Sequence, residues 1–151
     1  MWVLEETLRL TPALYFLPRL ATVDTWIETS DNRKLMIPKG THISLDVWHA
    51  NRCEEFWGED ITGYPAGIFA PERWEHIEKQ GSAAKEMLHF GFGYGPRFCP
   101  GRSLGLLEVC LVVGAVVKLF KFKATSNETK AIAAVSTKPA DGVAVDLEIR
   151  E

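Results

Sequence analysis

The sequence predicts an α+β chain, and three observations carry that expectation. Residues 2–10 repeat with helical spacing and stop at Pro12, residues 20–48 alternate with strand spacing between turn formers, and an apolar run of helical period follows Cys99. With 46% hydrophobic residues among 151, there is enough apolar side chain for one domain with a real core.

The first helix sets Trp2, Glu6 and Arg9 on one face and Leu4 and Leu8 on another; it begins without an N-cap residue and ends at Pro12. The stretch "VDTWIE", a polar turn at Ser30-Asp31-Asn32, "KLMI", the breaker Pro38-Lys39-Gly40 and the alternating "THISLDVW" read as two or three short antiparallel strands. Residues 51–95 carry Trp57, Tyr64, Phe69, Trp74, Phe90, Phe92 and Tyr94 among many Gly and Pro, with weak periodicity. That predicts a long irregular meander anchored by aromatics, a kind of segment that usually serves function. After Cys99, Leu104, Leu107, Leu111, Ala115 and Leu119 share one side of a helix that also holds Gly114. The tail reads as a strand, "FKFKA", and a hairpin over residues 131–149 turning at residues 139–142.

Charge and cysteine usage exclude several classes. A net charge of −3 with scattered Lys and Arg gives no clustered positive face for nucleic acid. Three cysteines, at 53, 99 and 110, with no CxxC or His/Cys cluster, suggest neither a disulfide framework nor a zinc site and point to a reducing compartment. The acidic, amphipathic "MWVLEETLRL" is not a secretory signal. The most apolar run, residues 109–117 between Glu108 and Lys118, is too short to span a bilayer and reads as buried helix. Asn127-Glu128-Thr129 fits the glycosylation sequon but reads as a polar turn.

The stretch "FGYGPRFCPGR", residues 92–102, sets a cysteine in a rigid, cationic loop at the start of the apolar helix. Pro100 is expected near the first helical position, where its missing N–H costs nothing, which places Cys99 at a helix N-terminus. Backbone N–H groups, the helix dipole and Arg97 there favour an anionic sulfur. Gly93, Gly95 and Gly101 allow positive φ or close approach of the backbone to something flat and large. A buried, inert cysteine in a turn is the plain alternative. A dinucleotide loop fails because Pro96 stands where a third glycine is needed. A cysteine hydrolase fits poorly, since His42, His49, His76 and His89 have no distinctive context.

The fixed positions of that loop, Phe92, Gly95, Arg97, Cys99 and Gly101, resemble the haem-binding signature of the cytochrome P450 family, Phe-x-x-Gly-x-Arg-x-Cys-x-Gly. Two further elements follow the family's order: "EETLRLTP" looks like its Glu-x-x-Arg helix, with Glu6 and Arg9, and "FAPERW" looks like its Pro-Glu-Arg-Phe element, with Arg73 and with Trp74 in place of Phe. "IPKGT" is a familiar turn of that fold. Departures are Trp74, Gly105 where the family often has Ala, and a longer stretch between Trp57 and Phe69.

The resemblance implies a C-terminal fragment of the mainly α P450 fold, residues 1–151 forming a single partial domain without the N-terminal helices or the central helix that delivers protons to oxygen. It implies Cys99 as the axial thiolate on the iron of haem b (iron protoporphyrin IX), Phe92 packed near the sulfur, Gly93 and Gly101 against the macrocycle, and Arg97 and Arg19 on its propionates. Glu6, Arg9 and Arg73 would form a buried charge triad, and the apolar segment Ala13, Leu14, Tyr15, Phe16 and Leu17 would contact substrate. The implied function is a monooxygenase that inserts one atom of O2 into a small apolar organic substrate, with electrons from a reductase or ferredoxin. The alternative is a truncated, non-catalytic polypeptide with weak or no haem binding. An intracellular site is implied, in the cytoplasm or at the cytoplasmic face of a membrane; substrate, electron donor and anchoring would be encoded in the N-terminal part.

Overall fold

The computed structural model describes residues 1–81, 90–125, 131–133, 136–140 and 142–151. His89, the sequon at 127–129 and position 141 of the expected turn lie outside the described residues.

Helix α1 (Trp2–Leu10) carries Glu5 in its first turn and Arg9 in its last, the arrangement its dipole favours. Pro12 biases Thr11 out of helical geometry, and Thr11 closes the helix by donating N–H and hydroxyl to the Thr7 carbonyl, both at 2.7 Å. Strand β1 (Phe16–Leu20) follows and pairs antiparallel with β4 (His42–Asp46), enclosing the hairpin of β2 (Thr25–Glu28) and β3 (Lys34–Ile37). Asn32, at φ 60, makes the turn of that hairpin in the left-handed region that Asn tolerates.

Two expectations are corrected here. The β structure expected from Leu20 begins earlier, with the strand from Phe16; the strand expected through Trp48 stops at Asp46. The second has a local cause: the Asp46 carboxylate accepts the His49 N–H at 3.0 Å and caps the one-turn helix α2 (Val47–Ala50).

The meander contains α3 (Glu54–Trp57), α4 (Glu59–Thr62) and α5 (Arg73–Lys79). Gly63, at φ +77, ends α4 in a left-handed C-cap beside the His76 ring. The core sits here: Trp57, Ala66, Trp74 and Ile77 are buried together with Trp2 packed against them, and the Trp57 and Trp74 indoles meet edge to face at 5.6 Å. Trp2 also ties α1 to α5 through an indole N–H donated to Glu78 at 2.9 Å.

Helix α6 (Arg102–Leu119) then runs about 27 Å at the usual rise per residue. The expected C-terminal hairpin is corrected in its pairing. Strand β6 (Ala131–Ala133) pairs with β7 (Thr137–Pro139), not with the residues beyond Gly142, while β8 (Val145–Ile149) returns to β5 (Phe120–Ala124). The β5–β8 ladder sets Lys121 opposite Glu148 and Lys123 opposite Asp146, cross-strand charge pairs that favour this partner. Among the described residues no helix is long and apolar enough to cross a membrane.

Candidate functional site

Helical spacing puts Glu6 and Arg9 on one face of α1, and the first turn of α5 brings Arg73 to them. The contact is a fork: Arg9 Nε and Nη2 donate to the two Glu6 oxygens at 2.9 and 2.8 Å, and Arg73 Nε donates to Glu6 Oε1 at 2.9 Å. All three side chains are fully buried. Glu6 also accepts the Ala70 N–H at 3.0 Å and the Trp74 indole N–H at 3.1 Å.

The two guanidiniums spend their other donors on backbone. Arg9 reaches the carbonyls of Asn51, Ala66 and Ile68, and Arg73 reaches those of Trp57, Tyr64, Pro65 and Ile68 and the Thr62 hydroxyl at 2.7 Å. Burial alone pushes the Glu6 carboxyl up, but the Arg9 hydrogen bond, the Ala70 N–H and the charges of Arg9 and Arg73 outweigh it and hold the group below its ordinary value. Burial and the charge of Arg9 lower Arg73, with Glu6 opposing them. The cluster therefore fixes the path of an irregular chain by giving its carbonyls charged donors. Trp74 is the partner that sequence reading missed; the "PERW" tetrapeptide carried the signal, since Trp, unlike Phe, supplies a ring N–H.

The cysteine loop is closed by backbone. The Cys99 N–H donates to the Phe92 carbonyl at 2.8 Å, a single 3₁₀ turn (Gly95–Arg97) forms the tip, and Gly93 and Gly95 adopt φ +76 and +66. Two details correct the expectation. Helix α6 starts at Arg102 with Gly101 as N-cap, so Pro100 lies in the preceding turn, where the Arg102 N–H reaches the Cys99 carbonyl at 3.3 Å. Gly101 keeps φ −83; what its missing side chain leaves is room beside the sulfur, since a Cβ would stand 3.8 Å from Cys99 Sγ.

Exposed Cys99 opens on a cavity of about 270 Å³ lined by Leu8, Ala13, Leu14, Leu17, Phe90–Gly93, Arg19 and Arg97. Strand alternation on β1 aims Leu17 and Arg19 to the same side. Among the described residues neither Arg19 nor Arg97 has a carboxylate partner. The structure thus brings Cys99, Phe92, Gly93, Arg97, Arg19, Ala13 and Leu14 to one cavity. Tyr15 and Phe16 turn away from it, into a second cleft. Leu8 and Phe90 are lining residues that the sequence assigned only to the first helix and to the aromatic meander. Cys53 precedes α3 and Cys110 lies within α6, and no group of His, Cys, Asp or Glu among the described residues could hold a metal ion by itself.

A family model, Cytochrome P450, matches residues 1–142. The chain is 34% identical over 147 residues to a cytokinin hydroxylase of Arabidopsis thaliana, covering 97% of this chain and 26% of that protein. It is 32% identical over 147 residues to an 11-oxo-beta-amyrin 30-oxidase of Medicago truncatula, covering 96% and 26%. Its fold matches the crystal structure of a cytochrome P450, CYP102L1, with TM-score 0.76 and 25% identity, over 99% of this chain and 31% of that one. The chain spans about a quarter of the length of these curated relatives. A match that runs through both the charged cluster and the cysteine loop, with the whole fold following, goes well beyond one shared motif: the chain belongs to the cytochrome P450 family.

Proposed function

We propose that residues 1–151 are the cysteine-bearing part of the catalytic domain of a haem-thiolate monooxygenase, acting on a small apolar organic substrate with O2 and electrons from a reductase or ferredoxin. The observation that carries this reading is the Cys99 cavity: one sulfur, an apolar wall, and two guanidiniums without a carboxylate of their own among the described residues. That donor set fits haem b, which has a flat apolar body, two propionates and an iron that takes a thiolate. Cys99 would hold the iron, Arg97 and Arg19 the propionates, and Phe92, Gly93 and Gly101 the space around the sulfur. Haem, when bound, supplies the redox chemistry by which O2 is cleaved.

The chain's own residues do the positioning. The Phe92 carbonyl holds the Cys99 backbone in place, and Leu8, Leu17 and Phe90 would give the cavity an apolar lining against the flat body of the haem. Ala13 and Leu14 would present an apolar surface to substrate. The parent protein would work inside the cell, in the cytoplasm or on the cytoplasmic face of a membrane.

For the 151-residue chain alone, the exposure of α6 favours a second reading: a non-catalytic fragment that binds haem weakly, because this cavity supplies one wall of a site. The deciding experiment is the reduced carbon monoxide spectrum of the full-length parent. Cys99→Ala or Cys99→His is expected to abolish the red-shifted Soret band of a thiolate-ligated haem. Retention of that band would move the ligand to Cys53 or Cys110.

A further inference from the structure

The segment between α1 and β1 has two sides. Ala13, Leu14 and Leu17 face the Cys99 cavity, while Tyr15 and Phe16 line a second cleft, of about 150 Å³, with Asp46, Trp48 and His49. Behind the segment stands a stack. The Tyr15 ring meets Trp48 edge-on at 4.7 Å, and the Tyr15 carbonyl accepts the N–H groups of Val47 at 2.8 Å and Trp48 at 3.3 Å. On Trp48 lies the Arg52 guanidinium, its central carbon 3.2 Å from the ring centroid. Arg52 donates through Nη2 to the carbonyl of Leu10, the last residue of α1, and through Nη1 to the Trp48 carbonyl at 3.3 Å.

Arg52 has no carboxylate partner among the described residues, and burial, helped by the charge of Arg9, lowers it to about 10. A half-buried cation held by carbonyls and one indole face is doing mechanical work: it joins the end of α1 to α2 across the chain that must turn between them. Lysine lacks both the flat face and the fork.

We propose that Arg52, stacked on Trp48, is a positioning residue that braces residues 13–17 from behind and so sets the shape of the cavity in front of Cys99. For the identity of the cavity's ligand, this rests on the haem reading above; for the brace itself it does not. Ala13 and Leu14 reach the cavity from the link that Arg52 spans, and Tyr15 holds that link to Trp48. Loosening the stack therefore moves the cavity wall without touching any residue that lines it.

The test has two arms. In the 151-residue chain, hydrogen–deuterium exchange read by mass spectrometry compares wild type with Arg52→Met, Arg52→Lys and Trp48→Phe. Exchange across residues 13–17 is expected to rise by about tenfold in Arg52→Met, less in Trp48→Phe, with partial rescue in Arg52→Lys, while peptides from α5 keep their protection. Equal loss of protection in both regions would reduce Arg52 to a general stabiliser and overturn the proposal, as would no change at 13–17. Trp48→Phe keeps the test open if Arg52→Met does not fold. In the haem-loaded parent, the ratio of affinities for imidazole and 1-phenylimidazole is expected to change in Arg52→Met with the thiolate spectrum intact. An unchanged ratio would overturn the link to the cavity. Loss of the thiolate spectrum in wild type would instead sink the haem reading and leave the exchange arm standing.

Discussion

Residues 1–79 and residues 99–151 solve the problem of burial in opposite ways. The first region hides its charges: Glu6, Arg9 and Arg73 sit at zero exposure among indoles, and nearly every donor has an acceptor. The second region shows its apolar side chains, since α6 is apolar around its whole circumference and none of its described residues is buried. Leu104 and Leu111 project to one side at 70% and 65% exposure, and Val109 and Val113 project to the other. A helix apolar all round belongs inside a larger protein. The contrast teaches that the ion cluster organises a core complete within this chain, whereas the helix behind Cys99 depends on packing from beyond it.

The most severe way to break the first region is Arg73→Ala. It removes one guanidinium from a dry cluster and takes the charged donor away from Glu6, the Thr62 hydroxyl and the carbonyls of Trp57 and Pro65. The expected cost is about 3–5 kcal/mol, comparable to the whole stability of a small domain. Chemical denaturation and haem content of the parent measure it; the expected product is aggregated or haem-free protein. A folded, haem-loaded variant would mean the cluster does not organise the core.

Acid acts on the same cluster more gently. Because Glu6 is held below its ordinary value of 4.5 in the folded chain, its contribution is fully present above that pH. It is lost as the pH falls through the lower, folded value. Stability measured from pH 7 downward is therefore expected to hold until about 4.5 and then decline. Glu6→Gln should flatten that decline while lowering stability at neutral pH; an equally steep acid limb in Glu6→Gln would place the acid-sensitive group elsewhere.

Trp74→Phe is smaller again. It leaves most of the ring against Trp57 but deprives Glu6 of one donor, at an expected cost of about 2 kcal/mol. The check is a denaturant midpoint that falls with an unchanged slope.

Sequence pattern made visible what depends on neighbours in the chain. The Glu6–Arg9 spacing, the β2–β3 hairpin across its polar turn and the helix after Cys99 follow from periods of a few residues. What stayed hidden depends on distance. β1 pairs with β4 across an intervening hairpin, and β5 waits for β8 at the end of the chain, so no local signal names either partner. Alternation through Trp48 suggested more strand than forms, because the Asp46 cap competes with it and wins. The same limit holds at the site. Cys99, Arg97 and Phe92 lie in one loop and could be read together. The bifurcation at Tyr15, the brace of Arg52 and the indole of Trp74 on Glu6 emerge only when the chain is folded.

The smallest expected effect on folding falls on one of the most exposed apolar side chains. Leu111→Glu changes a leucine that is 65% exposed in this chain, so little apolar area returns to water when it is replaced. Glu108 precedes it by three residues, which adds a mild like-charge contact on the helix surface. The stability of the isolated chain should therefore move by no more than about 0.5 kcal/mol. Association should respond differently. A contiguous apolar face on α6 favours contact between copies, and a charge in its centre disfavours it. Light scattering across a concentration series is expected to show the wild-type chain self-associating and Leu111→Glu doing so less. In the full-length parent the same substitution should be severe, because there the side chain would be packed. If Leu111→Glu instead unfolded the isolated chain, α6 would have to be part of its core, and the contrast between the two regions would fail.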